Sequence, residues 1–76
     1  MPHVIVKLIP GRSEEMKMNL AKQIAEDVSK SLDIGRGYVS VAFEEVDEEV
    51  WRERVYKKEI KDNGSVYIQP DHKLFE

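Results

Sequence analysis

Proline stands at position 2, with only Met1 ahead of it. Removal of that one residue exposes a secondary amine, and proline is a small second residue of the kind after which an initiator methionine is cleaved. Burial beside apolar neighbours such as Val4 disfavours the charged form of an amine and draws its pKa down toward neutrality. A base poised near the working pH balances the fraction in the right protonation state against the driving force for proton transfer. Such a group suits abstraction of a proton from carbon beside a carbonyl. The chemistry requires the loss of Met1, because a nitrogen tied up in a peptide bond has given its lone pair to resonance.

Other chemistries find little support in the residues. His3 and His72 are isolated imidazoles with no partner at ligand spacing, so no metal site is expected. Ser13 and Ser40 lack the setting of a nucleophile elbow. Gly11, Gly35, Gly37 and Gly64 fit neither glycine-rich phosphate fingerprint, and no cofactor is implied. Among the 76 residues there is no cysteine, which removes disulfides and thiolate zinc sites as stabilisers. Twelve basic and fifteen acidic side chains give a net charge of −3 and are interspersed, so nucleic acid is not an expected partner. No apolar run is long enough to span a membrane and no basic segment precedes one, which makes the cytoplasm the expected location. A chain this short buries only about 60% of its unfolded surface, so self-association is expected.

The elements that must position Pro2 follow from the pattern. Pro2 to Ile9 reads as a strand, with Val4, Val6 and Leu8 on one face and His3, Ile5, Lys7 and Ile9 on the other. Pro10-Gly11 breaks it. Ser13 is a good helix N-cap, and Glu14 and Glu15 favour the positive end of the helix dipole. The apolar stripe Met16, Leu20, Ile24, Val28 and Leu32, with Ala21 and Ala25 beside it, faces a sheet. Gly35 and Gly37 end this helix, and Tyr38 to Val46 alternates as a second strand. Two similar strands joined by a long helix form a parallel crossover. Asp47 can cap a second helix carrying Val50, Trp51, Val55, Tyr56 and Ile60, which Asn63-Gly64 stops. Ser65 to Gln69 reads as a short closing strand. The fold class is therefore α/β (α+β), one domain over 1–76. It is a parallel strand pair with a crossover helix, a second short helix and a C-terminal strand, the sheet being completed by a second subunit.

Taken in order, Pro2 opening a strand, Gly11-Arg12-Ser13 at the strand-to-helix turn, Ser31-Leu32-Asp33 near the helix end, Val39 to Glu45 and Trp51 resemble the 4-oxalocrotonate tautomerase family. The longer C-terminal half, with its Val-Tyr-Ile-Gln-Pro stretch, is similar to the dimeric phenylpyruvate-tautomerase-like (PptA-like) branch. The resemblance implies a cofactor-independent isomerase that interconverts keto and enol forms of a small 2-keto acid such as phenylpyruvate. It implies Pro2 as the base after removal of Met1, Arg12 as the residue that binds the substrate carboxylate, and Trp51 as a wall of the pocket. It also implies a homo-oligomer, with a dimer favoured over a hexamer.

Ser40 marks a departure. It stands where the hexameric enzymes of the family carry a second arginine that polarises the substrate carbonyl, which disfavours a dicarboxylate substrate here. Arg36, Tyr38, Arg52 and Arg54 are candidate replacements, none matched by spacing. Two alternatives follow from the same chain. The protonated amine could act as a general acid in hydrating or dehalogenating unsaturated acids, or the chain could be an oligomerising module without chemistry.

Overall fold

Two short strands lie side by side and parallel, β1 at His3–Leu8 and β2 at Ser40–Glu45. Their register runs from His3 opposite Ser40 to Leu8 opposite Glu45. Side chains alternate across a strand, so Val4, Val6 and Leu8 share a face with Val41 and Phe43. His3, Ile5 and Lys7 share the other face with Ser40, Ala42 and Glu44. The first face is covered by α1, Glu14–Leu32, on which Ala25 is buried and Ala21, Ile24 and Val28 are half-buried. On the second face Ile5 is 53% exposed. The computed structural model describes residues 1–71, and these fall into two compact units, Met1–Glu45 and a second that begins at Val46. His72, one of the two imidazoles in the chain, lies outside the described residues.

The ends of α1 are set by its own sequence. Ser13 is the N-cap, its Oγ accepting the Met16 N–H at 3.2 Å, which satisfies one of the donors a helix start leaves unpaired. At the other end Asp33 adopts a left-handed conformation, φ 54° and ψ 53°. The Ile34 N–H then donates to the Ser29 carbonyl at 3.0 Å and the Asp33 N–H to that of Lys30 at 3.4 Å, the paired bonds of a Schellman cap. The helix thus stops on an aspartate, ahead of the glycines expected to end it. Gly35 instead precedes a single 3₁₀ turn, Arg36–Tyr38, so β2 begins two residues later than its sequence pattern suggests.

The apolar stripe of α1 is only partly used. Met16, Leu20 and Leu32 remain exposed, as does Met18. A helix of nineteen residues is about 28 Å long, whereas strands of six residues span about 20 Å. The helix ends overhang the strand pair.

In the second unit, α2 is Glu48–Trp51, entered from Asp47. It continues without a break into a wider, π-type segment, Arg52–Ile60, closed by the Lys61 N–H donating to the Tyr56 carbonyl at 2.8 Å. The widening has a visible cause. Nine residues make about two and a half α-helical turns, which would put Ile60 opposite Trp51. With i→i+5 bonding, Trp51, Val55, Tyr56 and Ile60 come to one side, and these are the residues of this stretch that are buried or half-buried.

The strand expected at Ser65 to Gln69 does not form. Asn63 turns the chain there, its side chain accepting the Ser65 N–H at 2.9 Å and donating to the Glu59 carbonyl at 2.7 Å. The Val66 N–H donates to the Asn63 carbonyl at 3.1 Å. These bonds take up the backbone that a strand would need, and Tyr67 and Ile68 beyond it are 97% and 89% exposed.

Candidate active site

Pro2 sits at the very start of β1. It has no N–H to offer a ladder, but its carbonyl accepts the Ser40 N–H at 3.2 Å. That bond ties the residue to the first rung of the sheet. Pro2 is half-buried, while Met1 ahead of it is 95% exposed and contributes nothing to the packing. The next residue completes the rung: His3 Nδ1 and Ser40 Oγ are 2.6 Å apart. The structure therefore gathers Pro2, His3 and Ser40 at one end of the strand pair.

Arg12 lies at the other end. Gly11 has φ +134°, a conformation open to glycine and strained for any side chain, and the turn it makes sends the Arg12 guanidinium back over the strand. There Nη1 donates to the Ile9 carbonyl at 3.4 Å. From Pro2 to Ile9 is a run of extended backbone about 20 Å long. Within one chain, Pro2 and Arg12 do not meet.

Two further cations of the first unit are held in ion pairs. Arg36 Nη1 donates to Glu26 Oε1 at 2.8 Å, an ion pair on the outer side of α1. Lys17 Nζ stands 2.9 Å from Glu14 and 3.6 Å from Glu45, at the Leu8–Glu45 end of the sheet. Its hydrogen bond to Glu14, helped by the charges of Glu14 and Glu45, holds the ammonium above its ordinary pKa against the opposing pull of desolvation. Lys7 is also engaged. Trp51 closes α2 in the second unit and is half-buried. Among the described residues no group of three His, Asp or Glu side chains is placed to hold a metal ion.

His3 and Ser40 lie thirty-seven positions apart and show no shared sequence signal. The parallel register that makes them neighbours was expected in outline, but its alignment could not be read from either strand alone.

The sequence profile of a family described as tautomerase enzyme matches residues 2–53, from Pro2 through α2. The chain belongs to that family. It is 39% identical over 64 residues to a probable tautomerase of Xylella fastidiosa, a match covering 84% of this chain and 78% of the relative. It is also 39% identical over 62 residues to tautomerase PptA of Pectobacterium atrosepticum, covering 80% and 82%. Tautomerase PptA of an Enterobacter species is 38% identical over 61 residues, covering 79% and 80%. The PptA-like resemblance of the sequence is thus met, and the βαβ core seen here, β1-α1-β2, lies wholly within the family match. Members of such a family are isomerases, and the rung that carries Pro2 is the start of the matched region.

Proposed function

We propose that the protein is a cofactor-independent keto–enol tautomerase acting on a phenylpyruvate-like 2-keto acid, with Pro2 as general base once Met1 is removed. The observation that carries this reading is the place of Pro2. It is half-buried, anchored through its carbonyl to Ser40, at the free end of β1 and at the first residue of the family match. The amine takes a proton from the carbon beside the keto group and the electron pair becomes the carbon–carbon double bond. The same proton is returned at oxygen, so nothing is gained or lost.

Arg12 fits the substrate carboxylate, which a guanidinium fork can hold through two parallel hydrogen bonds. The length of β1 means that the arginine serving one Pro2 belongs to another copy of the chain. Self-association is supported further by apolar side chains left uncovered in the first unit, among them Ile5, Met16, Met18 and Leu20. A homodimer is the simplest assembly with this exchange. Trp51 is the aromatic side chain offered to the substrate ring, and one carboxylate contact with an apolar partner suits an aromatic 2-keto acid better than a dicarboxylate.

Intact mass and enol-to-keto conversion of phenylpyruvate, measured on wild type and Pro2→Ala, test the reading together. Absence of Met1 with a loss in kcat/KM of about 10²-fold or more, the usual contribution of a general base, is the expected result. A retained Met1, or a Pro2→Ala rate equal to wild type, overturns it.

A further inference from the structure

Tautomerisation asks for more than a base. As the proton leaves carbon, negative charge builds on the former carbonyl oxygen, and a fixed hydrogen-bond donor aimed there lowers the barrier. We infer that His3 supplies this donor through Nε2–H and that Ser40 is the positioning residue that holds the imidazole for it. The inference rests on the reading of Pro2 given above.

Three observations lead here. The His3–Ser40 bond, at 2.6 Å, is short for a pair on an exposed face, and it occupies Nδ1. When the Ser40 hydroxyl donates to Nδ1, the ring's proton resides on Nε2, the nitrogen that no described residue takes up. Second, the rung is rigidly tied to the base. His3 directly follows Pro2, its Cα about 3.8 Å away, and Ser40 bonds His3 through its hydroxyl and Pro2 through its N–H. The Pro2 ring and the imidazole point to opposite faces, as consecutive strand residues do. The reacting nitrogen, however, belongs to the main chain and sits at the strand's end, open to a flat substrate lying across it. Third, three cations of this unit are held elsewhere: Arg12 on Ile9, Arg36 on Glu26, and Lys17 between Glu14 and Glu45. Among the described residues of its own chain, His3 is the side chain next to Pro2 in sequence and on the same rung that can offer an N–H to an oxygen.

In the reaction His3 gives up no proton. The carbon proton passes to the Pro2 nitrogen and then to oxygen, while the Nε2–H bond stabilises the oxygen in between. A serine that only tied the strands together would leave catalysis indifferent to the ring's tautomer.

The test uses the full-length chain with four substitutions, His3→Ala, His3→Gln, Ser40→Ala and Ser40→Thr, none of which touches the Met1-Pro2 bond. Phenylpyruvate turnover and ¹⁵N spectra of the His3 ring are recorded for each where applicable. The expected result is a fall in kcat of about 10²-fold for His3→Ala, the scale of one lost oxyanion donor, with KM little changed. His3→Gln, which keeps an N–H near the Nε2 position, recovers part of it. Ser40→Ala lowers kcat less and converts a single Nε2–H tautomer into a mixture, and Ser40→Thr restores both. His3→Ala at wild-type kcat, with Pro2→Ala inactive, overturns the role of His3 and leaves the proline reading standing. Pro2→Ala at the wild-type rate overturns both. Should His3→Ala not fold, the wild-type ring decides the matter: Nε2 signals unmoved by saturating 2-keto acid overturn the inference.

Discussion

Pro2 and Arg12 stand at opposite ends of β1, the proline on the Ser40 rung and the guanidinium on the Ile9 carbonyl. Ten positions apart in sequence, they are separated by a strand's full length in space. The extended backbone of β1 sets that separation, about 20 Å over its six residues.

Mixed oligomers follow from this geometry. At keto-acid concentrations well below KM, Pro2→Ala chains are expected to be inactive and Arg12→Gln chains, which have lost the carboxylate anchor, nearly so, yet a refolded equal mixture regains about a quarter of wild-type activity. In a two-fold assembly half the dimers then contain unlike chains, and one of their two sites is whole. Kinetics on the mixture, with the mass of the assembly read by analytical ultracentrifugation, check this. A mixture as inactive as its components would mean that Pro2 and Arg12 do not meet across chains.

The cap of α1 makes a prediction about stability. Asp33 holds φ 54° at a position where its Cβ is crowded by the backbone, a conformation that costs an L-residue about 1–2 kcal/mol relative to glycine's ease there. Asp33→Gly keeps both Schellman bonds, since they come from the backbone, and is expected to raise stability by about 1 kcal/mol. Urea unfolding of the two chains reads the difference directly.

How far the sequence spoke for itself depended on the range of the interaction that decided each element. Ser13 and the alternation of Val4, Val6 and Leu8 act over a few residues, and the helix start and the strand faces follow their patterns, whereas Asp47 stands at the entry of α2 without a side-chain cap bond. Met16, Leu20 and Leu32 repeat at helical spacing, but whether they are buried depends on how much sheet lies beneath them, which no spacing reports. Residues 65–69 have strand-like composition, yet the Asn63 side chain captures the neighbouring backbone first. At the site, Pro2 was visible from its place in the chain. The His3–Ser40 bond joins residues thirty-seven positions apart and needed the strand register.

The second unit carries its own pH signature. Lys57 Nζ lies 2.8 Å from Glu53 Oε1, one turn along the helix. The hydrogen bond from Lys57, followed by its charge, lowers the Glu53 pKa. A carboxylate whose pKa is lower in the folded state adds stability above its ordinary value, near 4.3, and loses it as the pH falls through the depressed one. Both side chains are largely exposed, so the effect is small and screened by salt. Wild type is expected to melt slightly above Glu53→Gln at neutral pH in low salt, the gap closing in acid as the pH falls below the ordinary carboxylate range. Thermal melts across that range decide it, and a gap that widens in acid would contradict the assignment.

The turn that places Arg12 rests on Gly11, whose φ of +134° lies outside the range of L side chains. A Cβ built there meets nothing within 4 Å, so the obstacle to alanine is the backbone conformation alone. Gly11→Ala must either hold that strained conformation, at about 1–3 kcal/mol, or let the turn relax and carry Arg12 off the Ile9 carbonyl. The first outcome lowers stability with activity intact, and the second raises KM for the keto acid while leaving kcat near wild type, because the carboxylate anchor moves but Pro2 does not. A D-alanine at position 11, installed by chemical synthesis of the 76-residue chain, separates strain from bulk. The mirror-image residue accepts positive φ freely, so it is expected to restore both stability and KM, and a D-alanine chain as impaired as the L-alanine one would show that the methyl group itself is what the turn cannot take.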